Sequence, residues 1–180
     1  YENETYRAQV HGHDENFMAV FDIALDRGAP LSREDVARRA NVAVIGSKVR
    51  DELFGDLDPI GEYVRVKGRR FRIIGTLPSK GQSAFIPYDD LVVVPYTTMQ
   101  EYVLGIDYLH MIAVRADAAA DIARVKRDII LTLRESHGIT DPEKDDFHVV
   151  TQQDAIDRIG IIATALTALL VSIAAISLVV

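Results

Sequence analysis

The chain has 180 residues, with 27 acidic and 20 basic side chains for a net charge of −7, and it has no cysteine. The acidic balance argues against nucleic acid as a partner, because a phosphate-binding surface needs an excess of Lys and Arg. Without cysteine there are no disulfides, thiolate metal sites or cysteine nucleophiles. All the charged residues precede Ile159, so the sequence joins an ordinary globular composition to an uncharged apolar tail.

In chain order, Glu4 to Val10 alternates weakly and predicts a strand. Residues 16–25 fit a short helical turn followed by an extended stretch, and Arg27-Gly28-Ala29-Pro30 a turn. Ser32, with Asp35 three residues on, predicts a capped helix to about Arg39. Val42-Ala43-Val44-Ile45 is a continuous apolar run, as in a buried strand, and Gly46-Ser47 opens a helix with Val49, Leu53 and Phe54 on its apolar side. Asp58-Pro59-Ile60-Gly61 predicts a turn. The clearest hairpin runs from Tyr63, Val64 and Val66 through Lys67-Gly68-Arg69 to Phe71, Ile73 and Ile74.

Leu77 to Pro87 follows as a Gly- and Ser-containing loop. Leu91 to Val94 predicts a second buried strand, and Thr97 a cap for a short helix. The spacing predicts a strand over Tyr108 to Val114, a helix capped by Asp117 with Ile122, Val125, Ile129, Ile130 and Leu133 on one face, and a helix end at His137-Gly138. Phe147, Val149 and Val150 predict a last strand, with Thr151 as the cap of the helix that follows.

That helix holds the apolar run Ile159 to Val180. Its length, about 22 residues or roughly 33 Å, is enough to cross a bilayer core of about 30 Å. Thr164, Thr167, Ser172 and Ser177 can bond back to the helix itself, and its small residues suit close approach of another helix. The sequence opens on Tyr1 rather than Met and closes inside the apolar run, which predicts a fragment of a longer protein. The loop-charge test of orientation then has no second loop to use.

Site chemistry is sparse. Val42 to Gly46 before a helix is similar to the opening of a dinucleotide-binding fold, but Lys48 and Asp51 stand where its later glycines belong. Residues 75–83 carry no phosphate-binding loop pattern, so no ATPase motif is present. His11 and His13, with Asp14, could share one face of a strand and hold a metal; without a partner cluster, a solvated loop is the better reading. His110 and His148 read as structural histidines in apolar strands, and His137 as a helix-terminal cation. The 141–146 segment DPEKDD lacks calcium-loop spacing and reads as solvated charge. No catalytic, cofactor or metal residues are assigned, and the chain is not expected to be an enzyme.

Several segments in order resemble one family: 41–46 (NVAVIG), Leu53-Phe54-Gly55, Asp58 to Gly61, 71–75 (FRIIG), 80–83 (KGQS), 90–98 (DLVVVPYTT), Asp146-Phe147 and the run through 174–178 (AAISL). Together they look like the periplasmic core domain and second membrane helix of MacB-type, FtsX-like ABC-transporter permeases. The resemblance implies a mixed α/β (α+β) extracytoplasmic domain with β-rich and porter-like subdomains, followed by a transmembrane helix. Residues 1–105 would form the distal β-rich part, 106–150 a membrane-proximal strand–helix–strand unit, and 151–180 the truncated helix, its apolar span ending at Ile159 and Val180.

It further implies the bacterial inner membrane as the location, an ABC ATPase domain or subunit, a second permease copy, contact with membrane lipid, a possible periplasmic adaptor and no cofactor in this chain. The domain would transmit ATP-driven motion to export of substrate. A membrane-anchored ligand-binding or sensor module is the alternative, and an anchored enzyme the third class.

Overall fold

The computed structural model describes residues 5–79, 87–117 and 121–179. It divides into two compact units, Tyr1–Arg115 and Ala116–Val180. The Glu4 end of the first predicted strand, most of the 77–87 loop and Val180 lie outside the described residues.

In the first unit the strands are β1 (Gln9–His13), β2 (Arg27–Gly28), β3 (Val42–Ile45), β4 (Tyr63–Val66), β5 (Arg69–Thr76) and β6 (Leu91–Pro95). They form one mixed sheet in the order β1-β6-β3-β5-β2, with β4 also on β5. β3 is parallel to β5 and antiparallel to β6, while β1 is parallel to β6. The uninterrupted apolar runs follow from this placement. Val42 and Val44 join Leu91 and Val93 in a core with Phe17, Ile23 and Leu77. Ala43 and Ile45 join Val92 and Val94 in a second core with Val49, Phe71 and Ile73. Successive side chains point to opposite faces of a strand, so a sheet covered on both faces needs apolar residues at every position.

Short local signals build the connections. The helices here are α1 (Phe17–Val20), α2 (Arg33–Ala37), α3 (Ser47–Phe54) and α4 (Tyr96–Thr98). Ser32 and Asp35 close a reciprocal capping box on α2, as the sequence predicts. Lys67 and Gly68 both have positive φ, 46° and 83°, which is what a two-residue hairpin turn matched to the strand twist requires. Gly46 permits a close approach at the start of α3, where a side chain would collide with the carbonyl oxygens of Tyr88 and Asp89.

In the second unit, α5 (Ile122–His137) and α6 (Gln152–Val179) are the two long helices. No residue of α5 is fully buried.

Several expectations need correction. The first strand is Gln9–His13 and not Glu4 to Val10, because its ladder runs along Leu91–Pro95 of β6. His11 and His13 therefore sit in a strand rather than a solvated loop. Arg27 and Gly28 are not a free turn but pair with Thr76 and Gly75. Thr97 does not cap a helix; its hydroxyl donates to the Val36 carbonyl at 2.6 Å and ties α4 to α2. The second-unit helix starts after Asp121, whose carboxylate accepts from the Ala123 and Arg124 amides, and not after Asp117. Finally, Tyr108 to Val114 and Phe147 to Val150 are not strands. Alternation selects a face, but a strand also needs a neighbour for its backbone groups, and among the described residues neither stretch has one.

Candidate functional site

The residues around the start of α6 connect a soluble-type element to a helix long and apolar enough to cross a membrane. Thr151 caps α6: the Asp154 amide donates to Thr151 Oγ1 at 3.0 Å, and the Thr151 amide donates back to the Asp154 carboxylate at 3.0 Å. The same carboxylate accepts from Lys126 Nζ of α5 at 2.7 Å. One acidic side chain thus caps α6 and ties it to α5, and its charge suits the positive end of a helix.

A second tie holds the other end of α5. Arg134 makes a two-pronged contact with Asp145, 2.7 and 2.6 Å, and this ion pair holds the Asp145 carboxyl below its ordinary range. His137 Nδ1 lies 2.8 Å from Asp146 and its ring meets Phe147 edge-on. Asp141 caps the short turn Pro142–Lys144 through the Glu143 amide. Asp145 and Asp146 thus strap the DPEKDD segment to the end of α5, while Glu143 and Lys144 stay exposed as solvated charge. Bidentate Arg–carboxylate geometry fixes orientation as well as distance.

Past the cap, α6 continues without a break through Ile159, so that residue marks a change in side-chain chemistry and not a helix boundary. Thr164, Thr167 and Ser172 donate to the carbonyls of Gly160, Ala163 and Ala168 at 2.8–2.9 Å. Each hydroxyl is thereby satisfied within the helix, as a lipid-facing segment needs.

The histidines do not converge. His11 and His13 lie 5.8 Å apart by ring centroid, and His13 stacks on Phe17 at 4.0 Å. Its Nε2 is buried without a hydrogen-bond partner among the described residues. Burial holds its pKa down to about 4 and lowers that of His11. His110 is exposed beside Tyr108 rather than held in a strand, and His148 is likewise exposed on an irregular segment. Among the described residues no three His, Asp or Glu side chains gather as a metal centre would. The sequence predicts Thr151 as a cap but not its reciprocal box with Asp154, although the T-x-x-D spacing is visible in 151–154. The Lys126 link depends on how α5 and α6 meet and has no sequence signal.

With this geometry in place, the comparisons are direct. Residues 1–130 match the family model of the MacB-like periplasmic core domain. The chain belongs to that family. It is 34% identical over its full length to the macrolide export ATP-binding/permease protein MacB of Bdellovibrio bacteriovorus, covering 28% of that protein. It is 32% identical over 99% of its length to the pyoverdine export ATP-binding/permease protein PvdT of Pseudomonas fluorescens, covering 27% of it. The chain thus spans little more than a quarter of these relatives.

In fold it is similar to the crystal structure of the periplasmic region of MacB from Actinobacillus actinomycetemcomitans. That match has a TM-score of 0.71 at 22% identity, over 85% of this chain and 65% of that one. It is also similar to the extracellular domain of the noncanonic ABC-type transporter YknZ from Gram-positive bacteria, with a TM-score of 0.62 at 19% identity, over 77% of this chain and 69% of that one.

Proposed function

We propose that this chain is the extracytoplasmic domain and succeeding membrane helix of an ABC exporter permease, and that it carries ATP-driven motion from the bilayer to the outer domain. The observation that carries this reading is the junction: Asp154 caps α6 while holding Lys126 of α5, so a tilt of α6 pulls directly on the helix beside it. Family membership supplies the transport context. ATP hydrolysis belongs to a separate ATPase domain or subunit, a second permease copy completes a dimer, and a periplasmic adaptor receives the motion. In this reading α6 faces lipid in the bacterial inner membrane, and residues 1–105, 106–150 and 151–180 are the distal part, the membrane-proximal part and the membrane helix. In this reading the stretches 108–114 and 147–150, which have no ladder partner among the described residues, belong to a proximal part completed by further polypeptide.

Inserting a flexible Gly-Ser linker after Val150 in the complete permease tests the lever. In reconstituted vesicles, ATP hydrolysis should continue while transport collapses; transport at the original rate would sink the proposal.

A further inference from the structure

The β4–β5 hairpin carries Arg65, Lys67, Arg69, Arg70 and Arg72 in a chain whose net charge is −7. The register puts Arg65 directly opposite Arg70, and like charges in that position repel. Arg69 is accounted for, since it bonds Asn41 at 2.6 Å and lies over the Tyr102 ring at 3.5 Å. Arg70 lies over the Tyr63 ring at 4.3 Å. Arg7, Arg65 and Arg72 form no ion pair among the described residues.

Beside this cationic face lies a groove of about 220 Å³. One wall is Tyr6, Arg7 and Ala8, the other is residues 64–67 of the hairpin, and Val49, Leu53 and Val92 are apolar residues that also line it. Both walls present consecutive residues. Successive side chains of a strand leave on opposite faces, so a groove touching consecutive residues of β4 runs along the edge of that strand. Among the described residues β4 pairs on one side only, with β5, and the backbone groups of its other edge are open to a further strand.

We infer that this groove takes an extended acidic peptide as an added strand on the free edge of β4. The peptide backbone pairs with the edge while its side chains alternate. Those on the inner side meet Leu53 and Val66, which are only partly buried, and those on the outer side meet Arg65. A sequence alternating apolar and acidic residues satisfies both. The charge of the hairpin selects this occupant over a basic or neutral one, because complementary potential sets both encounter rate and specificity.

The test uses the whole chain in phosphatidylcholine nanodiscs and a fluorescein-labelled peptide alternating Val and Glu. Saturable binding is expected, with amide exchange slowed at 63–66. The alternating Val and Lys peptide should not bind, Arg65→Glu should weaken binding by about tenfold or more, and N-methylation of alternate peptide amides should abolish it. Several results would overturn the inference: no binding by the acidic peptide, equal binding by the methylated peptide, or capture of phosphatidylglycerol vesicles by the hairpin in place of peptide. Protection of 63–66 that rises with protein concentration alone would do the same, by making a second copy the occupant. None of these outcomes bears on the lever reading, which is tested in a separate transport assay.

Discussion

The first unit hides Val44, Ile45, Phe71 and Leu77 completely, while Leu131, Ile161 and Leu170 of the second keep more than half of their surface open. Both units are rich in aliphatic side chains, so composition does not separate them. What differs is whether the chain supplies its own cover. The central strands β3 and β6 have a core on each face, whereas α5 and α6 present apolar surface with little of this chain against it. Area removed from water is what stabilises a fold, at about 25 cal/mol per Å². The first unit therefore carries its stability internally, while much of the apolar surface of α5 and α6 stays exposed.

Truncation should break or sharpen this contrast most strongly. Phe71→Ala leaves a cavity between sheet and helix and is expected to cost about 3–5 kcal/mol, read from urea unfolding of the first unit. Leu131→Ala removes a comparable side chain from the second unit and is expected to stay within about 0.5 kcal/mol. Equal costs would remove the distinction between the units.

Acid gives the next effect, and it too belongs to the first unit. His13 is neutral in the fold because burial lowers its pKa to about 4, with His11 nearby opposing and Asp14 favouring its charge. The unfolded chain titrates near 6.5 and so binds the proton first. The contribution is fully present above about pH 6.5 and is lost as pH falls toward 4. It amounts to about 2 kcal/mol once partial exposure is allowed for. Stability curves at pH 7 and pH 4.5 should converge in His13→Phe; a variant that keeps the full acid loss would assign it to other groups.

The smallest effect is at a cap. Ser32→Ala removes the acceptor of the Asp35 amide and is expected to cost about 1 kcal/mol, with faster amide exchange confined to the start of α2. No change in that exchange would mean that packing of Val36 alone holds the helix.

The parts legible in the sequence are those specified by neighbours along the chain. Ser32 with Asp35, Lys67 with Gly68, and the unbroken run 42–45 each carry their geometry within a few residues. Alternation at Tyr108 to Val114 carries equally clear information about faces but none about a partner, and that is why the predicted strand has no ladder. Asp117 and Asp121 both precede the same amphipathic pattern; only the three-dimensional turn shows which carboxylate reaches the amides. At the junction, the cap residues lie close in sequence and are readable, whereas Lys126 reaches Asp154 from 28 positions away. The register of β1 was hidden for the same reason, since its partner is β6.

That last pairing has a consequence for how the chain acquires its shape. Gln9 stands opposite Leu91 and His13 opposite Pro95, so the contact that seals the sheet joins nearly opposite ends of the first unit. Chain entropy must be surrendered over that entire loop before the contact returns anything, and folds dominated by distant pairings assemble slowly. A chain delivered amino end first would hold β1 in waiting, unable to lock, until β6 arrives beside it.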